Sequence, residues 1–242
     1  MDEKIAGRRP VMEALNSDKT LNKIIISKGE RHGLINRIIK TAKQRKIPLQ
    51  FVEKRVLDAL TDTNHQGVIA YATSFKYCDV EDILLKAREK AEPPFLLLLD
   101  GIKDPHNLGA IIRSAEAMGV HGLIIPKRQA VQVTSTVIKT SSGAVHHILI
   151  SRVSNLVYTI KALKEKGVWI AGADALGKTC YNQDLKGPIG LVIGSEGEGL
   201  SRLTRENCDF LVSIPMTGKM QSLNASVAAA ILIYEIKRQR EA

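Results

Sequence analysis

The sequence predicts an α/β protein in which a parallel sheet with helices on both faces follows a smaller α/β block. Continuous apolar runs such as FLLLLD (95–100) and IGLVIG have the composition of strands buried on both faces. These runs alternate with stretches of helical periodicity, the rhythm of a parallel, helix-covered sheet. Upstream, YCDVEDILLKAREKAEPP carries a helical charge pattern that ends in Pro93-Pro94, a pair that stops a helix and suits a linker. The expected division is a small domain over 1–74, a linker over 75–92 and a larger domain over 93–242.

In the first block Pro10 opens a helix over 10–16, followed by the strand LNKIIIS. A helix over 33–46 and the strands PLQFV and GVIAYAT complete it. In the second block FLLLLD leads into a helix from about Asn107 to Met118, then the strand GLIIP, a weaker helix near 134–142 and the strand ILISRV. SNLVYTIKALKEKG is a helix with Ser154 as N-cap and Gly167 just past its end. VWIAGAD, IGLVIG and FLVSIP are three further strands, with a helix near 199–207 between the last two. NASVAAAILIYEIKRQR closes the chain as a helix apolar nearly all round, and so mostly buried.

The 242 residues are 44% hydrophobic and 25% charged, as in an ordinary globular protein with a real core. No apolar run approaches the roughly 20 residues that span a bilayer, so no membrane association is expected. The N-terminus lacks an apolar signal core, so a cytoplasmic protein is expected. Cys78, Cys180 and Cys208 are scattered without CxxC spacing and read as reduced thiols. The net charge of +10 favours a polyanionic partner such as nucleic acid. Residues 31–46 hold six Lys/Arg and no acid, with Leu34, Ile35, Ile38, Ile39 and Ala42 on the opposite face. That segment is either a solvated outer face or a phosphate-contacting helix.

Four segments stand out for Gly, Asn, Ser or charge: DGIKDPHNLG, GADALG, GSEGEG and MTGKMQSLN. Each directly follows a predicted strand, so a parallel sheet gathers all four on one edge, where ligands bind. The first strand-to-helix turn lacks the dinucleotide pattern GxGxxG, and no Gly-Lys-Ser/Thr phosphate loop is present. GSEGEG offers bare backbone and carboxylates without lysine, which suits a positively charged nucleoside such as S-adenosylmethionine.

DPHNLGAIIRSAEAMG (104–119), LVIGSEGEGLS (191–201) and IPMTGKMQSLNASVAAAILIYE (214–235) resemble the three motifs of the SpoU/TrmH family of RNA ribose 2′-O-methyltransferases, in the SPOUT superfamily. IAGRRPVMEAL and HQGVIA (65–70) further resemble the L30e-like RNA-binding domain of the RlmB-like branch, which methylates a guanosine of 23S rRNA. The resemblance implies a SPOUT-type fold with a C-terminal trefoil knot, S-adenosylmethionine as cofactor, structured RNA as substrate, a homodimer, and no metal. A tRNA or other rRNA target, an adenosine-directed resistance enzyme, and a non-enzymatic rRNA assembly factor remain as alternatives.

Individual residues carry two readings each. Arg113 pairs with Glu116 on the helix surface, or matches the family's catalytic arginine. A guanidinium stays charged and is a poor base, so phosphate binding and orientation suit it better than proton removal. Asn107 caps its helix and, by resemblance, holds the active-site loop or substrate. Glu196 decorates a turn, or shapes the site through hydrogen bonds; Glu198 is surface charge. Ser222 and Asn224 are helix-capping residues that the resemblance also places in the catalytic pocket. Gly194, Ile214, Met216 and Leu223 line the adenosine pocket by the same matching, with Ala173 beside them. His65, His106, His121, His146 and His147 show no ligand spacing, and His106, inside the first motif, is the one that an RNA contact would fit.

Overall fold

The computed structural model describes residues 3–17, 19–29, 33–73, 75–218 and 222–242. The chain divides into two compact units, one of residues 1–76 with 133–135, the other of residues 77–132 with 136–242.

The first unit runs β1 (Glu3–Ala6), α1 (Arg8–Asn16), β2 (Thr20–Ser27), α2 (Leu34–Gln44), β3 (Leu49–Val52), α3 (Lys54–Leu60) and β4 (Val68–Thr73). Its sheet has the order β1-β4-β2-β3, with β4 antiparallel to β1 and β2, and β3 parallel to β2. Alternation along β2 explains its unbroken apolar run. Ile24 and Ile26 pack with Val11 and Leu15 of α1 and Ile35 and Ile38 of α2, while Ile25 packs with Leu57 of α3 and Ile69 of β4. Sequence patterning misses β1 and α3 because each is short and α3 fully buries only Leu57. Helix α1 starts two residues before Pro10, which sits in the first turn, where an N–H has no helical partner to lose.

The second unit contains α4 (Val80–Glu89), β5 (Phe95–Asp100), α5 (Pro105–Ala117), β6 (Gly122–Pro126), α6 (Ser135–Thr140), β7 (Leu149–Val153), α7 (Leu156–Glu165), β8 (Trp169–Thr179), β9 (Ile189–Gly194), α8 (Arg202–Asn207), β10 (Phe210–Ser213) and α9 (Ala225–Glu241). All six strands are parallel, in the order β10-β8-β9-β5-β6-β7. Ile83 and Leu84 of α4 and Ile160 and Leu163 of α7 pack on Leu96, Leu98, Ile124 and Val192, on one face. Leu97 and Leu99 point to the other face, where α5 packs against α9 and α9 against β9.

Several expectations are corrected. Much of the expected linker over 75–92 is core. Residues 77–92 belong to the second unit, and α4 buries Ile83, Leu84 and Ala87 beneath an outer face of charges. A Cβ at Gly122 would stand 2.7 Å from Ile83, so the glycine lets α4 lie close on the sheet. The N-cap of α7 is Asn155, whose side chain accepts the Tyr158 amide at 3.0 Å, one residue beyond Ser154. Gly167 does end that helix, at φ +79°. Helix α9 is only half buried: Leu232, Ile233 and Ile236 face inward, but Val227, Ile231 and Tyr234 are 46%, 39% and 56% exposed. Among the described residues no helix is long and apolar enough to cross a membrane. The three cysteines are free thiols, and burial pushes Cys78 up to about 11 and Cys208 up to about 12.

Candidate active site

Strands β5, β9, β8 and β10 are neighbours in the sheet, and their carboxyl ends open on one edge. The four unusual segments therefore meet. Ala173, Gly194, Ile214, Met216 and Leu223, the residues assigned to a cofactor, line one cavity of about 300 Å³, and Ser222 and Glu196 lie on its wall. Lys219, Met220 and Gln221 of MTGKMQSLN lie outside the described residues.

The GADALG segment departs from expectation, since it is no loop but part of the long strand β8. Its pairing with β10 jumps from Gly172↔Leu211 to Lys178↔Val212, so residues 173–177 bulge out toward the cavity. A Cβ at Gly177 would stand 2.5 Å from the Leu211 carbonyl carbon, which only glycine tolerates.

The loop after β9 closes on itself. Ser195 and Gly199 exchange two backbone hydrogen bonds of 3.0 Å, and Gly197 and Gly199 take φ of +82° and +66°. A Cβ on Gly194 would overlap the Gly199 carbonyl and the Leu200 amide. The bare backbone at Gly194 is thus required by the loop's own hairpin, beyond any ligand. Asp100, at the end of β5, accepts the Ser201 amide at 2.8 Å and ties the loop's far end to the sheet.

Glu196 projects from this loop into a cluster of amides. Its Oε1 accepts the Asn107 Nδ2 at 2.8 Å and also accepts from the Asn224 Nδ2. Asn224 Nδ2 also donates to Asn107 Oδ1 at 3.0 Å. Three residues drawn from three separate motifs thus form one network, with Asn107 only 6% exposed. Asn224 is the N-cap of α9, its Oδ1 accepting the Ser226 amide at 2.9 Å and the Val227 amide at 3.3 Å. Capping therefore fixes the geometry of Asn224, whereas Ser222, two residues earlier, takes no part in the cap. Asn107 is not a cap: Asp104 accepts the His106 amide at 3.0 Å and Pro105 follows at the first helical position. Freed from capping, the Asn107 side chain turns to Glu196.

Arg113 stands apart from the cavity, six residues along α5 from Asn107, about 9 Å of helix rise. It makes no ion pair with Glu116; its guanidinium donates to the Ser142 hydroxyl at 3.2 Å. Ser142 holds φ +51°, and Thr140 beside it fills the space a Cβ on Gly109 would need. The segment after α6 is thereby seated on the Arg113 face of α5. Sequence reading missed Asp174 and Arg205, which pair on the cavity wall. The only signal for Asp174 was its place in GADALG.

The histidines have structural partners where they are buried. His65 bonds Asp58 at 2.8 Å and accepts the Gly67 amide at 3.0 Å. His121 accepts the Phe95 amide at 3.0 Å, and burial pushes its pKa down against the opposing pull of Glu92. His106, His146 and His147 are exposed.

The cavity suits an adenosine bearing a sulfonium. Ile193, Ile214, Met216 and Leu232 give it apolar walls, Glu196 and Glu198 supply negative charge, and Arg205, its one cation among the described residues, is already paired with Asp174. Residues 94–234 match the model of the SpoU rRNA methylase family, more than half of the chain. The chain belongs to the SpoU rRNA methylase family. Residues 4–78 match a second model, RNA 2′-O ribose methyltransferase substrate binding. YacO of Bacillus subtilis strain 168, assigned by name to the TrmH family of tRNA/rRNA methyltransferases, is 46% identical over 98% of this chain and 95% of its own length. A Staphylococcus saprophyticus protein assigned to the same family is 48% identical over the same shares. The SpoU methyltransferase AviRb from Streptomyces viridochromogenes, solved in complex with the cofactor AdoMet, is similar at TM-score 0.63 and 27% identity, over 99% of this chain and 91% of that one. The A. aeolicus TrmH/SpoU tRNA modifying enzyme is similar at TM-score 0.56 and 32% identity, over 66% of this chain and 84% of that one. This SpoU protein is an RNA methyltransferase of the SpoU/TrmH family, and its cofactor is S-adenosylmethionine.

Proposed function

We propose that the protein methylates a ribose 2′-hydroxyl of structured RNA, with a guanosine of 23S rRNA as the target. The observation that carries this reading is the Asn107–Glu196–Asn224 network set against the cavity that holds Ala173, Gly194, Ile214, Met216 and Leu223. Bound in that cavity, S-adenosylmethionine supplies a methyl group on a sulfonium and thus its own leaving group.

The chain's work is then alignment of the ribose 2′-oxygen with that methyl and removal of the 2′-hydroxyl proton, which leaves to solvent. Glu196, held by two amides, fixes the loop against α5 and sets a carboxylate at the cavity mouth. Ser222 and Asn224 bound the target ribose from the start of α9. Arg113 binds the phosphate next to that ribose and orients its 2′-oxygen. The small domain, 1–74 as read from sequence, captures the RNA.

Two assembly features belong to the same reading. The exposed stripe Val227, Ile231 and Tyr234, at i, i+4 and i+7 of α9, suits a homodimer interface that completes the site. The larger domain carries the C-terminal trefoil knot that the family resemblance implies. We place the protein in the cytoplasm, with ribosomal RNA. The test is incubation with labelled S-adenosylmethionine and either 23S rRNA fragments or bulk tRNA, followed by mapping of the modified ribose. Label in a 2′-O-methylguanosine of the rRNA is the expected result; label confined to tRNA redirects the target, and label on a base overturns the reaction.

A further inference from the structure

The first 76 residues hold fifteen Lys/Arg and eight Asp/Glu, so seven of the chain's ten net positive charges fall there. Helix α2 concentrates them. Ile35, Ile38 and Ala42 are buried on one side, while Arg37, Lys40 and Lys43 are exposed on the other, over about 9 Å of helix rise. None of these three, nor Lys46 just beyond, makes a hydrogen bond through its side chain or an ion pair with another described residue. Three acids of this unit are engaged elsewhere: Glu3 with Lys19, Glu53 with Lys28, Asp58 with His65.

Two neighbours set the stripe apart from ordinary helix-end charge. Arg45 is a structural cation, its guanidinium donating to the carbonyls of Leu15 and Ser17 at the end of α1. Lys46 occupies φ +54°, a helix-ending position where glycine is the least strained residue. The sequence places a lysine there, in line with the other outward cations.

We propose that the outer face of α2, through Arg37, Lys40, Lys43 and Lys46, is the surface on which this domain docks the phosphate backbone of its RNA. The inference rests on the reading of the chain as an RNA 2′-O-methyltransferase, and it names the face that the reading leaves open. Lys and Arg without acid read no base sequence. This face provides affinity and approach, and target choice stays with the second unit.

The test is fluorescence anisotropy with an RNA hairpin of about 12 base pairs, titrated across a series of KCl concentrations. Three full-length variants are compared with the wild type: Arg37→Gln/Lys40→Gln/Lys43→Gln, Lys40→Gln alone, and Arg45→Gln. At about 0.7–0.9 per phosphate contact, the slope of log affinity against log salt falls by about 2–3 in the triple variant and by just under one in Lys40→Gln. S-adenosylmethionine affinity stays at the wild-type value in both. Arg45→Gln lowers the melting temperature and leaves the slope alone. An unchanged slope in the triple and single variants, with the wild type still methylating RNA, overturns the docking face alone. A reduced slope with no methylation of any RNA by the wild type supports the face and overturns the catalytic reading. No salt-dependent RNA binding by the wild type overturns both.

Discussion

Arg113→Ala is expected to lower methyl transfer by about 10²–10³, the range seen when one preorganised charge-stabilising donor is removed. S-adenosylmethionine affinity should stay within about twofold. The separation of the two effects follows from the geometry, because Arg113 lies outside the cavity and is held by the Ser142 hydroxyl at 3.2 Å. The side chain is exposed, so its truncation leaves no buried charge and no large void, and folding should be unaffected. Single-turnover transfer with saturating cofactor, paired with calorimetric cofactor binding, reads both quantities. Retained turnover would remove Arg113 from the chemistry. A collapse of cofactor affinity would instead mean that Arg113 turns into the adenosine cavity.

Gly194→Ala acts at the opposite end of the site and through the backbone. The new methyl would overlap the Gly199 carbonyl and the Leu200 amide. Neither side can give easily: Gly194 is paired with Asp100 in the centre of the sheet, and Asp100 also holds the Ser201 amide. The hairpin over 195–199 must open, carrying Glu196 away from Asn107 and Asn224. We expect S-adenosylmethionine affinity to fall by about 100-fold, or about 2.7 kcal/mol. The melting temperature should fall as well, since a buried methyl set against backbone can be relieved only by moving the chain. Wild-type affinity in Gly194→Ala would show that the closed loop is dispensable.

Much of this site is legible in one sequence because strand burial is a local signal. FLLLLD and IGLVIG are apolar without interruption because helices cover both faces of β5 and β9, and the polar segments after them must then share the carboxyl edge. Alignment of that edge was enough to gather the five residues expected at a cofactor into one cavity. Less was visible where a residue serves a distant partner. Asn107 looks like a cap in sequence, yet Asp104-Pro105 is the stronger signal, and the bond from Asn107 to Glu196 spans 89 positions. Helix α4 reads as a linker in sequence because its charges outnumber the small stripe Ile83, Leu84 and Ala87. The exposed side of α9 was equally hidden, since apolar composition says that a face seeks cover and nothing about what covers it.

The central claim is that the bulge within β8 and the segments after β9 and β10 line one cofactor pocket on a single sheet edge, with the loop after β5 joined to it through Asn107. A crystal structure of the full chain soaked with S-adenosylhomocysteine tests it most directly. The account predicts the adenosine between Gly194, Ile214, Met216 and Leu223, with its sulfur toward the Asn107–Glu196–Asn224 network. Density for that ligand at another face of the sheet, or with Glu196 turned away from both asparagines, would contradict it.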